Sequence, residues 1–274
     1  MADINAGGSE PFRVAAIQMV STPQPAQNYA AAQRLVRQAA GQGARLALLP
    51  EYWPIMGLKD TDKLALAEKD GGEIQAQMAA MAKDNGIWLI GGTLPLATDD
   101  AGKVLNTTLV YDPQGKPVAR YDKIHLFSFS KGEENFDEAR TIRHGAAVST
   151  FEAPFGKVGL SVCYDLRFPE LYRAMGHCAL MVVPSAFTYT TGKAHWELLL
   201  RARAVENQCY VLAAGQGGTH ANGRRTWGHS MLIDPWGEVI SVFAEGEGLA
   251  IGDIDPHRLQ YVREILPALQ HRKL

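Results

Sequence analysis

Lys157-Val158-Gly159-Leu160-Ser161-Val162-Cys163 is a short apolar, β-branched segment that ends in a thiol. Phe168-Pro169-Glu170-Leu171-Tyr172-Arg173-Ala174-Met175 then follows, stopped by Gly176. The first segment has the length of a buried strand, and the second reads as a helix closed by a glycine. Cys163 therefore stands where a strand gives way to a helix. A thiol at such a junction lies near the positive end of a helix dipole, which is expected to favour thiolate over thiol. Two further polar residues end apolar strands in the same way. Glu51 closes Leu46-Ala47-Leu48-Leu49, and Lys123 follows Val118-Ala119-Arg120-Tyr121. In α/β sheets, ligand sites form beyond the carboxyl ends of strands. A carboxylate, an ammonium and a thiol gathered at one such edge make a nucleophile with its own base and its own oxyanion donor.

Outward from these three residues, the chain alternates strand-like and helix-like stretches. Strands are expected over 12–19, 46–49, 87–93, 157–162, 180–184 and 209–214, and helices over 28–40, 73–84, 168–175 and 195–207. Asp112-Pro113-Gln114-Gly115 and Asp234-Pro235-Trp236-Gly237 share a pattern suited to type I turns. They predict hairpins joining 107–111 to 118–123 and 230–233 to 239–243. Alternation of strands and helices predicts sheets covered by helices, and the two hairpins argue against a purely parallel arrangement. No linker, repeat or low-complexity stretch divides the chain, so one domain over 12–274 is expected, preceded by a flexible segment over 1–11.

Composition sets the outer limits. The 274 residues are 46% hydrophobic, ordinary for a globular protein with a sizeable core. With 27 basic and 29 acidic residues the net charge is −2, which gives no electrostatic case for nucleic acid as a partner. No apolar run approaches the roughly 20 residues that cross a bilayer, so no membrane association is expected. Residues 1–11 lack the basic start and apolar stretch of a signal peptide. Three cysteines, an odd number, argue against a disulfide framework and for a reducing, cytoplasmic location. His220 and His229 have no cysteine pair or His-Glu-x-x-His motif nearby, so neither a metal nor a cofactor is expected.

Leu49-Pro50-Glu51, Tyr121-Asp122-Lys123-Ile124-His125-Leu126-Phe127 and Gly159-Leu160-Ser161-Val162-Cys163-Tyr164-Asp165-Leu166-Arg167-Phe168-Pro169-Glu170-Leu171 also resemble the three catalytic motifs of the nitrilase superfamily of carbon–nitrogen hydrolases. The resemblance runs from about Phe12 to about Lys273, with the three motifs in the family's order. It implies an α-β-β-α sandwich, in which two mixed sheets pack face to face under helices. It also implies a homodimer or higher homo-oligomer packed through helices, with the subunits' carboxyl-terminal tails aiding one another. The branch it points to includes deaminated glutathione amidase and ω-amidase, and the stretch from Val183 to Glu197 resembles the former more. The implied activity is a thiol amidase cleaving a small carboxylate-bearing amide to acid and ammonia. Deaminated glutathione is the first candidate substrate and α-ketoglutaramate the second, with N-carbamoyl amides behind them. A catalytically idle metabolite-binding or scaffold protein on the same fold is the alternative from another class. Intact Glu51, Lys123 and Cys163 argue against it.

Under this resemblance Cys163 attacks, Glu51 moves protons, and Lys123 with the backbone N–H of Tyr164 holds the oxyanion. Glu138 best matches the second glutamate that relatives carry between the lysine and cysteine motifs. Ala139 and His144 stand where relatives commonly show Ser and Pro. The acidic neighbours Glu133, Glu134 and Asp137 leave a solvated loop as the other reading of Glu138. Arg167 is a candidate for gripping a substrate carboxylate, since a guanidinium binds one through two parallel hydrogen bonds; a surface salt bridge is the competing role. Tyr189, Thr190 and Thr191, beyond the strand over 180–184, are candidate lining residues of the same crevice. Phe187, His195 and Trp196 either shape a pocket or simply pack, and Trp196 is expected to pack. Cys178 and Cys209, each flanked by apolar residues, read as small buried hydrophobes.

Overall fold

The computed structural model describes residues 10–132 and 134–273. Most of the expected segment 1–11, together with Glu133 and Leu274, lies outside the described residues. Two large mixed sheets dominate. In the first, Phe12–Gln18, Leu46–Leu48 and Trp88–Ile90 run parallel, in the register Val14↔Leu46↔Trp88. Gly248–Ile254 adds antiparallel on one side, and Val104–Tyr111 followed by Leu94–Ala97 on the other. Pro117–Asp122 and the two-residue strand Ile142–Arg143 also pair with Val104–Tyr111. The second sheet repeats the scheme. Gly156–Leu160, Leu180–Ser185 and Tyr210–Gly215 form its parallel centre, flanked by Thr150–Ala153 and by Ser230–Ile233 with Val239–Phe243. Both hairpins predicted from the Asp-Pro-x-Gly turns are present.

The layers follow from which side chains each element hides. Val14, Ala16, Leu46 and Leu48 from the first sheet share one apolar core with Val158, Leu160, Val182 and Leu212 from the second. The same core takes in Leu171 and Tyr172 of helix Pro169–Ala174 and Trp196, Leu200 and Ala204 of helix Tyr189–Asn207. On the other face of the first sheet, Ala15, Ile17 and Ala47 pack against helices Pro25–Gly41 and Glu73–Asn85 through Leu35, Val36, Met78 and Met81. Because the parallel strands are buried on both faces, they read as continuous apolar runs rather than alternating ones. The architecture is an α-β-β-α sandwich, as the family resemblance implied.

Three expectations shift on inspection. The strand expected over 87–93 stops at Ile90, and the chain turns through Gly91-Gly92 before Leu94–Ala97 pairs back on Val104–Tyr111. Gly92 sits at φ +53°, and a Cβ there would lie 2.1 Å from the Pro50 carbonyl oxygen. Only glycine lets this turn press against the residue before Glu51. The helix expected from His195 begins six residues earlier, at Tyr189. Thr188 caps it by accepting the Thr191 N–H, a short-range bond that an apolar-periodicity reading does not register. A two-stranded ribbon, Ser128–Lys131 with Glu134–Asp137, stands apart from both sheets where no element was expected. Among the described residues, no helix is long and apolar enough to cross a membrane.

Candidate active site

The carboxyl ends of the parallel strands meet at one edge of the sandwich. Gly156–Leu160 runs out of the second sheet and delivers Cys163 at the start of a tight 3-10 turn, Cys163–Arg167. Cys163 adopts φ +50°, a left-handed conformation that a side-chain-bearing residue rarely takes. Such strain costs on the order of 1–3 kcal/mol and concentrates where function demands it. Tyr52, directly after Glu51, is also left-handed, at φ +58°.

What holds the turn is Asp165. Its buried carboxylate accepts the Val162 N–H (2.8 Å), the His125 N–H (3.0 Å) and the Tyr121 hydroxyl (2.7 Å), and the His125 ring Nδ1 lies 2.7 Å away. One carboxylate therefore ties the cysteine turn to both flanks of Lys123. The His125 ring then stacks on Phe168 with centroids 3.7 Å apart. Gly145 completes the lysine's seat. Its N–H donates to the Lys123 carbonyl at 2.8 Å, and a Cβ there would meet the Asp122 carbonyl oxygen at 2.1 Å.

Glu51 is fully buried and its carboxylate is saturated with donors. Oε1 accepts from Asn106 Nδ2 and from Lys123 Nζ, each at 2.9 Å, and Oε2 accepts the Ala186 N–H at 2.8 Å. Its own backbone carbonyl accepts from Gln216 Nε2 at 3.1 Å. Lys123 Nζ also donates to Glu138 Oε1 (3.0 Å) and Oε2 (2.7 Å). Burial pushes this ammonium's pKa down, but the Glu138 and Glu51 carboxylates outweigh it and hold Lys123 well above the usual lysine range. Glu138 feels burial pushing its pKa up. Lys123, the Phe127 N–H at 2.7 Å and the Tyr52 hydroxyl at 2.7 Å overcome that and keep it below the ordinary carboxylate value. The solvated-loop reading of Glu138 is thus replaced by an anion with four hydrogen bonds at the centre of the site. Ala139 and His144, the two departures from the family pattern, are exposed and leave that arrangement intact.

The thiol corrects one expectation. Burial pushes Cys163 well above the usual cysteine range, the nearby Glu51 and Glu138 carboxylates push it further, and Lys123 opposes them without prevailing. The helix that follows has only six residues and begins at Pro169. Its dipole is too short and too distant to set the thiol's state. The resting group is therefore a thiol beside a carboxylate able to take its proton. Tyr164 is the second residue of the 3-10 turn, so its N–H is among the first-turn donors that no intrahelical carbonyl reaches.

Around Cys163 lies a cleft of about 260 Å³, counting its open mouth, lined by Phe127, Glu138, Tyr164, Phe187, Thr191 and Arg224 among others. Of the residues expected to hold substrate, Thr191 alone is on this lining. Arg167 sits one layer back, its guanidinium 5.8 Å from the Tyr164 ring and 5.6 Å from the Phe187 ring, with Nη2 3.3 Å from His195 Nδ1. Tyr189 packs against Trp227 and carries the Arg225 guanidinium on its ring, while Thr190 donates to Glu134 at 2.7 Å and pins the two-stranded ribbon. Trp196 packs, fully buried, against Phe187 and donates to the His229 carbonyl. Residue-by-residue reading missed Asn106, Asp165, Tyr52, Gln216 and Arg224. Asn106 and Asp165 had a signal, since each is a polar residue inside an apolar stretch. The other three acquire their roles only through long-range contacts. Among the described residues, no group of three His, Cys, Asp or Glu side chains is arranged to hold a metal ion.

Comparison with known proteins shows the family. The carbon-nitrogen hydrolase family model matches residues 13–264. A deaminated glutathione amidase of Synechocystis sp. (strain PCC 6803) is 41% identical over 269 residues, covering 96% of this chain and 98% of the relative. The omega-amidase NIT2 of Mus musculus is also 41% identical, over 267 residues, covering 96% of this chain and 95% of the relative. The crystal structure of the C. elegans NitFhit protein superposes with a TM-score of 0.88 at 36% identity, covering 98% of this chain and 66% of that one. This chain therefore spans just under two thirds of that structure.

Proposed function

The chain belongs to the carbon–nitrogen hydrolase family and is an amidase of the nitrilase superfamily, acting on C–N bonds other than peptide bonds; from that premise we propose that it hydrolyses a small carboxylate-bearing amide through a thioester on Cys163. The observation that carries this reading is the buried Cys163 thiol set beside the hydrogen-bonded Glu51–Lys123–Glu138 cluster. Amide hydrolysis needs a nucleophile, a base that later becomes an acid, and a donor aimed at the tetrahedral oxygen. Cys163 Sγ attacks the amide carbon as Glu51 takes its proton. Negative charge moves to the carbonyl oxygen, where Lys123 Nζ and the Tyr164 N–H receive it. Lys123 can turn one prong of its two-pronged contact with Glu138 towards that oxygen without leaving the carboxylate. Glu51 then returns the proton to the departing nitrogen, ammonia leaves and the thioester remains. Water attacks next, deprotonated by Glu51, and releases the acid and the thiol. Glu138 transfers no proton in this scheme: its three donors, Lys123, Tyr52 and the Phe127 N–H, hold it as an anion that keeps Lys123 charged and in place.

Relatives of each amidase name are equally similar to this chain, and the stretch from Val183 to Glu197 ranks deaminated glutathione as the first substrate in this reading and α-ketoglutaramate as the second. The test is ammonia release from the purified protein across a panel of ω-amides, combined with intact-mass measurement after rapid acid quench. Turnover of deaminated glutathione above the rest, with an acyl adduct on the Cys163 peptide, is the expected result. Ammonia release without any adduct under burst conditions would remove the thioester. We place the protein in the cytoplasm, on the strength of its three free cysteines, and propose that it is a homodimer. Tyr261, Ile265 and Leu266 near the carboxyl terminus are each about half exposed, while Leu259 and Val262 beside them are buried on the same chain. A second copy would cover the exposed set. Light scattering that finds only monomer at micromolar concentration removes the dimer.

A further inference from the structure

We propose that Arg224, rather than Arg167, holds the substrate carboxylate, so that this single guanidinium sets the enzyme's preference for acidic amides. The inference deepens the proposed function and rests on its carboxylate-bearing substrate. Three observations carry it. Arg224 lines the same cleft as Cys163, Tyr164 and Glu138, whereas Arg167 does not. Its charge has no carboxylate partner: among the described residues no Asp or Glu lies within ion-pair distance of it, while Arg225 beside it pairs with Glu245. Its Nε is buried and donates to nothing. A buried donor without an acceptor costs about 1–3 kcal/mol, and an anionic group entering the cleft would supply the missing acceptor.

The guanidinium is also pre-positioned. Nη2 donates to the Ala186 carbonyl at 2.6 Å, and the N–H of that same residue donates to Glu51 Oε2 at 2.8 Å. Arg224 is thus anchored to the residue that anchors the base, which fixes the spacing between a bound carboxylate and the scissile amide. The planar group lies over the Phe136 ring, 5.1 Å from its centroid, so its plane is fixed as well. Its backbone is held by a tight turn in which the Arg224 N–H donates to Asn222 Oδ1 and its carbonyl accepts from the His220 N–H. The charge balance points the same way. Glu51 and Glu138 are each ion-paired with Lys123 rather than with Arg224. A planar, always-charged guanidinium with donors left over after its bond to Ala186 suits a carboxylate.

The test compares glutaramate with valeramide, its uncharged counterpart of equal chain length, on the intact protein. The readout is the ratio of their kcat/KM values. Wild-type protein is expected to favour glutaramate at least tenfold. Arg224→Gln should lower that ratio by tenfold to a hundredfold, equivalent to about 1.4–2.8 kcal/mol, chiefly through KM for glutaramate, and Arg224→Lys should restore part of it. Thermal unfolding and the rate of Cys163 alkylation by iodoacetamide show whether each variant keeps its fold and its site. A variant that melts early is replaced by Arg224→Met, which preserves the stem over Phe136. Equal losses on both amides overturn the proposal, as does a ratio that collapses in Arg167→Lys and not in Arg224→Gln. A wild-type protein that hydrolyses valeramide as fast as glutaramate defeats the carboxylate-bearing substrate itself. That outcome is read before any variant is made, and so is separate from a failure of Arg224.

Discussion

The second sheet carries all three cysteines, one at its carboxyl edge and two at its amino edge, and the contrast between those edges explains the site. Cys163 follows strand Gly156–Leu160, whereas Cys178 and Cys209 directly precede Leu180–Ser185 and Tyr210–Gly215. All three are free and buried. Burial is the leading cause that raises each thiol, to about 11 for Cys178 and further for Cys209 and Cys163. A raised thiol is therefore no mark of chemistry. What differs is the company: apolar side chains surround Cys178 and Cys209, with Arg263 a charged neighbour of both, whereas the Cys163 thiol is hydrogen-bonded to Glu51 with Glu138 and Lys123 beside it. At the amino edge burial makes an inert hydrophobe. At the carboxyl edge it leaves a raised thiol beside the Glu51 carboxylate.

The sharpest break of that contrast is Cys163→Ala, expected to abolish ammonia release while leaving thermal unfolding near wild type. Substantial residual turnover would falsify the covalent scheme. Lys123→Ala is next. Removing the oxyanion donor should depress kcat by about 10²–10³-fold. It should also destabilise the fold by about 3–5 kcal/mol, because two buried carboxylates lose their counter-charge. An unchanged kcat with only a raised KM would reduce Lys123 to a binding residue. Glu138→Gln keeps the shape but not the charge, and a fall in kcat of roughly tenfold to a hundredfold is expected. A larger loss, approaching that of Cys163→Ala, would mean Glu138 carries a proton after all.

At the other edge, Cys209→Ala should leave kcat intact and cost about 1–2 kcal/mol of stability through the small cavity it opens. Lost turnover in a folded Cys209→Ala protein would erase the difference between the two edges. The smallest expected effect is a pH dependence. Glu138 titrates below its ordinary value in the native state, so the stability it adds is present above the unfolded value of about 4.3 and is lost as pH falls through the native one. In urea unfolding, the stability gap between wild type and Glu138→Gln should therefore be widest near neutral pH and narrow towards pH 3. A gap that stays constant over that range would show that another carboxylate is the depressed one.

Local sequence was enough to pick out the three side chains that the fold brings together. Apolar runs ending in Glu51, Lys123 and Cys163 are strands whose carboxyl ends deliver those side chains to one edge, and the Asp-Pro-x-Gly turns placed both hairpins correctly. These features are local: side-chain period, chain length and turn geometry act over a few residues and are legible one segment at a time. Glu138 was found through the family motif, while its own neighbourhood, rich in acidic residues, pointed equally to a solvated loop. The tertiary structure decided the rest. The ionisation of Cys163 depends on the carboxylates facing it, so a reading from its place before a helix went the wrong way. The early start of helix Tyr189–Asn207 rests on the Thr188 cap and on a Gly192 that must be bare, since a Cβ there would sit 2.3 Å from Trp227 Cβ. Arg167 and Arg224 are equally good forks on paper. Arg167 lies four residues from Cys163, yet it stacks on the back of the lining, while Arg224 reaches the cleft from 61 positions away. Proximity in sequence fixes neither direction nor burial, and only the packing of the two sheets and the loops between them selects which charge lines the cleft.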